Sequence, residues 1–299
     1  MRIRRRCALA ALAYLIPVAA RAQTPPPGTE IYLARLRNAD GGLQIERPVN
    51  LTNRPGYDNQ PSFGKDGTYL LYTSIRDDGQ ADTYRYVLSS MRSEQVTHTR
   101  ESEYSPTPLP SGDGFSVVRV EADSTQRLWR FPLDGTDPTL LLEQVKPVGY
   151  HAWSDERTVV LYVLGEPATL QIVDLKSGAV RVAGADVGRS LHRIPGGPTV
   201  SFMQHTSDDQ WWIRELDPKT GTSSPLVQAL TGSQDYAWMP NASILMAQET
   251  RIFRCTPGRS TDWVQVVDLA DAGVGRITRL AVSPDGTWLA LVADELAAP

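Results

Sequence analysis

One unit recurs six times along this chain, and its sixth copy is divided between the two ends. The plainest copy is Ser283-Pro284-Asp285-Gly286-Thr287-Trp288-Leu289-Ala290-Leu291-Val292, a tight turn feeding an apolar run. Gly64-Lys65-Asp66-Gly67 and Ser111-Gly112-Asp113-Gly114 repeat it, and weaker copies begin at Ser154, Pro195 and Pro240. Self-similarity at a fixed period makes a chain an array of equal modules, none of which can bury its apolar face alone.

The period selects the module. A bulky residue precedes each turn (Phe63, Leu109, Trp153, Ile194, Trp238 and Val282), at intervals of 46, 44, 41, 44 and 44 residues. Spacings in the low-to-mid forties match a four-stranded propeller blade. After each second strand come a polar turn and a third segment alternating apolar with polar residues, such as Leu170–Leu175 or Trp211–Leu216. That alternation is the period of a half-buried strand. Beyond Val292 the last unit lacks its third and fourth strands; Ile31–Leu36 and Leu43–Leu51 carry those patterns at the other end. The expected fold is all-β: a six-bladed propeller of four-stranded antiparallel blades, its last blade closed by the N-terminal strands. It should occupy residues 30–294 as one domain, with a short tail at 295–299.

The first 22 residues read as an export signal. A basic start (Arg2, Arg4, Arg5, Arg6) precedes the apolar stretch Ala8–Ala20, and Ala20-Arg21-Ala22 offers a small-x-small site for cleavage after Ala22. Residues 23–29 form a Pro-rich spacer. The expected location is periplasmic or secreted, with no membrane span after cleavage. The signal carries five arginines and no acid, so its removal leaves 25 basic and 34 acidic side chains, net −9. Nucleic acid is a poor partner for such a surface. Of the two cysteines only Cys255 remains, so no internal disulfide can form, and the thiol is expected to act as a small core hydrophobe.

The Pro-Asp-Gly turn at Ser283–Gly286, its relatives at Asp66-Gly67 and Asp113-Gly114, and the preceding Asn59-Gln60-Pro61-Ser62-Phe63 and Tyr104-Ser105-Pro106 resemble a variety of WD-type repeat. It is the repeat of the TolB-like family of exported bacterial propellers. The resemblance covers the mature chain and is sharpest in the first, second and sixth copies. It implies a monomeric, stand-alone propeller that binds a protein or peptide of the cell envelope.

Catalytic signatures are missing from the sequence. No Gly-x-Ser-x-Gly elbow occurs, and Gly188-Arg189-Ser190-Leu191-His192 departs from it at the last position. There is no Gly-rich phosphate loop, His-Glu-x-x-His pair or CxxC. The one constellation worth following comes from aligning the repeats. Two residues before the bulky markers stand Pro61, Thr107, His151, His192, Tyr236 and Leu280, positions that should face one end of a central channel. Asp58, Glu103, Tyr104, Tyr150, Arg189, Asp235 and Arg279 lie close by in sequence. The expectation is a polar and aromatic rim able to bind a ligand, with no resident cofactor. A second reading makes His151 and His192 ligands of a divalent metal in a small lyase or lactonase.

Overall fold

The computed structural model describes residues 26–39, 42–206 and 210–296. The export signal falls outside them, as do residues 23–25 of the Pro-rich spacer and 297–299 of the tail. Within them are 25 strands and one short 3₁₀ turn, Ala270–Ala272. No helix among the described residues is long and apolar enough to cross a membrane.

Four repeats fold as separate four-stranded antiparallel sheets. Their first strands are Ser102–Pro108, Val148–Trp153, Val187–Arg193 and Tyr236–Trp238, and each sheet runs in chain order to an outer fourth strand. The remaining strands form one nine-stranded sheet. It is two groups joined by a single parallel bridge, Thr29↔Tyr57. One group starts at Tyr57–Phe63; the other starts at Ile277–Val282 and Trp288–Asp294. Its third strand is supplied from the N-terminal end. Thr29–Ala39 pairs antiparallel with Trp288–Asp294 over seven residue pairs, from Thr29↔Asp294 to Arg35↔Trp288. Main-chain hydrogen bonds thus tie the two ends into one sheet and cover an edge that would otherwise stay open.

The core lies between neighbouring units rather than within any of them. Alternate residues of each second strand pack against the units on either side. Leu70 and Tyr72 meet Ile31, Leu33 and Val292 of the preceding unit, while Leu71 meets Phe115, Val117 and Phe131 of the next. Among the described residues six such clusters occur, each shared by two consecutive units. The first strands neighbour one another in chain order, and Ile277–Val282 lies beside Tyr57–Phe63. Trp153 is buried as a wedge in one of these clusters, and Trp238 packs against another. Cys255 is buried, with its thiol 3.3 Å from the Ser260 carbonyl.

The repeated turns gather at one end of the first strands. In the sixth copy Asp285 Oδ1 accepts from the Thr287 amide (3.0 Å) and the Ser283 hydroxyl (2.5 Å), while Gly286 turns the chain at φ +70°. A Cβ at Gly286 would come within 3.1 Å of Pro240 in the preceding turn, so glycine serves both the dihedral and the close approach. Lys65 donates to the Pro110 carbonyl of the next turn at 2.6 Å.

Candidate ligand cavity at the ring centre

The first strands and their turns enclose an open cavity of about 770 Å³ that takes residues from every unit, among them Gln60, Ser105, Tyr150, Ser190, Trp238 and Ala281. A smaller cavity of about 300 Å³ lies beyond it. The two share Arg189, Asp235, Arg279 and Leu280, which together form a septum.

The septum is built by reach across the ring. Arg279, on the first strand of the split unit, donates from Nη2 to the Tyr150 hydroxyl at 2.9 Å, 129 residues away in sequence. Its guanidinium lies 5.1 Å from that ring's centroid, an added cation–π attraction. Asp235 stands beside it, with Oδ2 3.6 Å from Arg279 Nη1. Asp235 also accepts from the Ser190 hydroxyl (2.8 Å) and the Leu280 amide (2.9 Å). Arg189 completes the group and makes no hydrogen bond or ion pair with any described residue; its Nε is buried without a partner. Burial alone would push the Tyr150 phenol up, but the charges of Arg279 and Arg189 and the Arg279 hydrogen bond outweigh it and hold it below the ordinary range. Tyr57, facing the same charges, is pushed up because burial dominates there.

The aligned histidines turn away from each other. His151 is buried toward the preceding unit, its Nε2 2.6 Å from Ser116 Oγ. Trp153 Nε1 donates to the same oxygen at 2.9 Å. Ser116 Oγ also lies 3.3 Å from the Thr107 carbonyl, and because His151 Nδ1 is buried without a partner, the Nε2–H tautomer is the one that orphans no donor. The same arrangement recurs two units on, where Tyr236 OH and Trp238 Nε1 both donate at 2.8 Å to Ser201 Oγ, which donates to the His192 carbonyl. His151 is therefore the counterpart of Tyr236 in an inter-unit staple. Its pKa falls to about 3 because burial disfavours the imidazolium. His192 instead leans edge-on against Tyr236 of the following unit, centroids 4.7 Å apart, with Nε2 buried and unpartnered. Among the described residues no group of three or more His, Cys, Asp or Glu side chains is arranged to hold a metal ion.

Besides Tyr236, which is taken into the staple, three further rim candidates line neither cavity. Asp58 is buried under Arg54 Nη1 at 2.9 Å. Glu103 is enclosed by Thr99 and by Arg119 Nε at 3.5 Å; burial pushes its carboxyl up to about 7 against both partners. Tyr104 packs on the apolar cluster between its own unit and the next. Ser116 and Ser201 escaped notice in the sequence, yet a signal exists. Each stands in its unit's second strand, seven residues beyond the bulky marker (Leu109 or Ile194), and each precedes its tryptophan partner by 37 residues.

The architecture matches solved propellers. TolB from Agrobacterium tumefaciens superposes with a TM-score of 0.70 at 15% identity, covering 91% of this chain and all of that one. TolB from Acinetobacter baumannii gives 0.58 at 14% identity, over 90% of this chain and 64% of its own. An oligogalacturonate lyase in complex with manganese gives 0.54 at 16% identity, over 88% of this chain and 78% of that one. No protein-family model matches the sequence, and no curated protein matches it. The chain therefore has a TolB-like β-propeller fold.

Proposed function

We propose that this protein is an exported six-bladed propeller that serves, without catalysis of its own, as a protein- or peptide-binding scaffold in the bacterial periplasm. The six inter-unit clusters and the ring of first strands support the blade count. The basic-then-apolar leader at residues 1–22 supports export, with the propeller at 30–294 as the mature domain. The observation that carries the reading is the mouth of the large cavity. Turns from successive units form it, stiffened by Pro110, Pro195, Pro240 and Pro284 and cross-linked by the Lys65–Pro110 hydrogen bond. A concave site fixed before its ligand arrives loses little entropy on binding.

The metal-enzyme alternative draws on the likeness to the manganese-bound lyase, which at 16% identity speaks for the fold alone. Each histidine keeps one buried, unpartnered ring nitrogen, Nδ1 of His151 and Nε2 of His192, and among the described residues no third ligating side chain joins them. Stoichiometric manganese or zinc in the purified protein would turn the reading toward that enzyme.

Site-specific photo-crosslinking in cells tests the scaffold. A photoreactive residue at Pro195, in the mouth, should trap a discrete envelope protein. The same residue at Val264, exposed on an outer strand, should trap none of it. Equal yields from both positions, or yield from Val264 alone, would refute the proposed binding face.

A further inference from the structure

We infer that the floor of the large cavity is a carboxylate-binding site centred on Arg189, with Arg279 and the Tyr150 hydroxyl beside it. The inference rests on the scaffold reading and names the chemistry of what the cavity takes: the free carboxylate that ends a peptide chain.

Charge is the first ground. Two guanidiniums face one carboxylate at the septum, and that carboxylate is already committed. Asp235 Oδ1 holds the Leu280 amide; Oδ2 holds Ser190 and leans toward Arg279. Arg119, Arg189 and Arg214 each bury an Nε that makes no hydrogen bond, but Arg119 and Arg214 hold partners through Nη2, and Arg189 holds none among the described residues. The surplus is a single positive charge, which a monoanion neutralises and a phosphate dianion overshoots. Geometry is the second ground. The two terminal nitrogens of an arginine form a planar fork matched to the two oxygens of a carboxylate, and those of Arg189 make no hydrogen bond or ion pair with the described residues of the cavity they line.

Shape supplies the third ground. The Arg279–Tyr150 hydrogen bond crosses the ring, and the septum separates the two cavities. A segment entering from the turn-lined mouth meets the Arg279–Tyr150 hydrogen bond across its path, so a chain end is favoured over a chain passing through.

The test uses the mature protein with three small probes: acetate, N-acetyl-glycylglycine as the free acid, and the same dipeptide as its amide. Titrations are followed by calorimetry and by the Nε–H resonance of Arg189. The free acid and acetate should move that resonance saturably, and the amide should leave it in place. Arg189→Gln should weaken binding of the acid by about tenfold or more, the loss of a charge-assisted hydrogen bond. Arg189→Lys, which keeps the charge without the fork, should fall between. No saturable shift with either carboxylate, equal binding of the amide, tighter binding of inorganic phosphate, or unchanged affinity in Arg189→Gln would each overturn the assignment. Envelope crosslinks from Pro195 without carboxylate binding would remove this inference and leave the scaffold standing. Carboxylate binding without crosslinks would keep the site and remove the scaffold.

Discussion

This ring buries polar groups in two contrasting ways. At the staple between its fourth and fifth units, Ser201 Oγ receives Tyr236 OH and Trp238 Nε1 and passes its own proton to the His192 carbonyl. A hydroxyl has one proton to give and room for two to accept, so nothing is left over. At the septum a guanidinium is enclosed with no partner for its Nε. Buried networks that are fully satisfied rigidify and specify a core, whereas incomplete ones cost stability unless something else completes them. By type His151 looks functional, yet its Nε2 is taken up in a staple and only Nδ1 is left over, whereas Arg189 makes no hydrogen bond or ion pair at all with the described residues.

Removing one hydroxyl should expose the difference most strongly. Ser201→Ala leaves two buried donors without an acceptor, and each orphan costs about 1–3 kcal/mol, so a loss of about 3 kcal/mol is expected. Urea titration of the variant measures it. A loss below about 1 kcal/mol would show that water replaces the serine and that the staple is not closed.

The next effect is acid lability from His151. Its pKa falls from the ordinary 6.5 to about 3, because protonation would bury a charge and an Nδ1–H with no acceptor. Between those values the unfolded chain binds a proton that the folded chain refuses. The staple's contribution is complete above pH 6.5 and is lost as pH falls; at pH 5 the loss is no more than about 2 kcal/mol. Glu103 runs the other way. Its carboxyl is raised from 4.5 to about 7, chiefly by burial, so its contribution is complete below pH 4.5 and is lost as pH rises through 7. His151→Gln should therefore flatten the acid side of the stability profile and Glu103→Gln the neutral side. Parallel profiles for the wild type and His151→Gln below pH 6.5 would contradict the buried, neutral imidazole.

The sequence disclosed the fold far better than the site, for a physical reason. Strand period, turn chemistry and the repeat are local patterns, and the split unit followed from what the last copy lacked; the ladder from Thr29↔Asp294 to Arg35↔Trp288 is the pairing that the count required. Closeness in sequence to the aligned positions singled out Tyr150, Arg189, Asp235 and Arg279, and the fold brings these four to one cavity. Sequence alone could not say which way a ring turns. His151 and His192 are one repeat apart, yet one reaches back to Ser116 and the other forward onto Tyr236. That choice depends on whether the preceding second strand offers a hydroxyl at the right height, a fact about a different repeat. Asp58 and Glu103 lie near the rim in sequence, but both carboxyls are buried away from the cavity, Asp58 under Arg54 and Glu103 beside Arg119.

The smallest expected effect is the most discriminating. Arg189→Leu removes a cation that makes no hydrogen bond or ion pair with the described residues, and it relieves repulsion from Arg279. The aliphatic stem is replaced by a side chain of comparable apolar bulk, so little packing is lost. Stability should stay within about 0.5 kcal/mol of the wild type, or rise, as for substitutions that break no specific partner. The Tyr150 phenol, relieved of one of its two cationic neighbours, should move back up and titrate at higher pH, which ultraviolet difference spectra can follow. A destabilisation as large as that of Ser201→Ala would mean that Arg189 holds the ring together through contacts of its own. The septum would then be one more staple, and the distinction between scaffold and site would fail at the residue on which it rests.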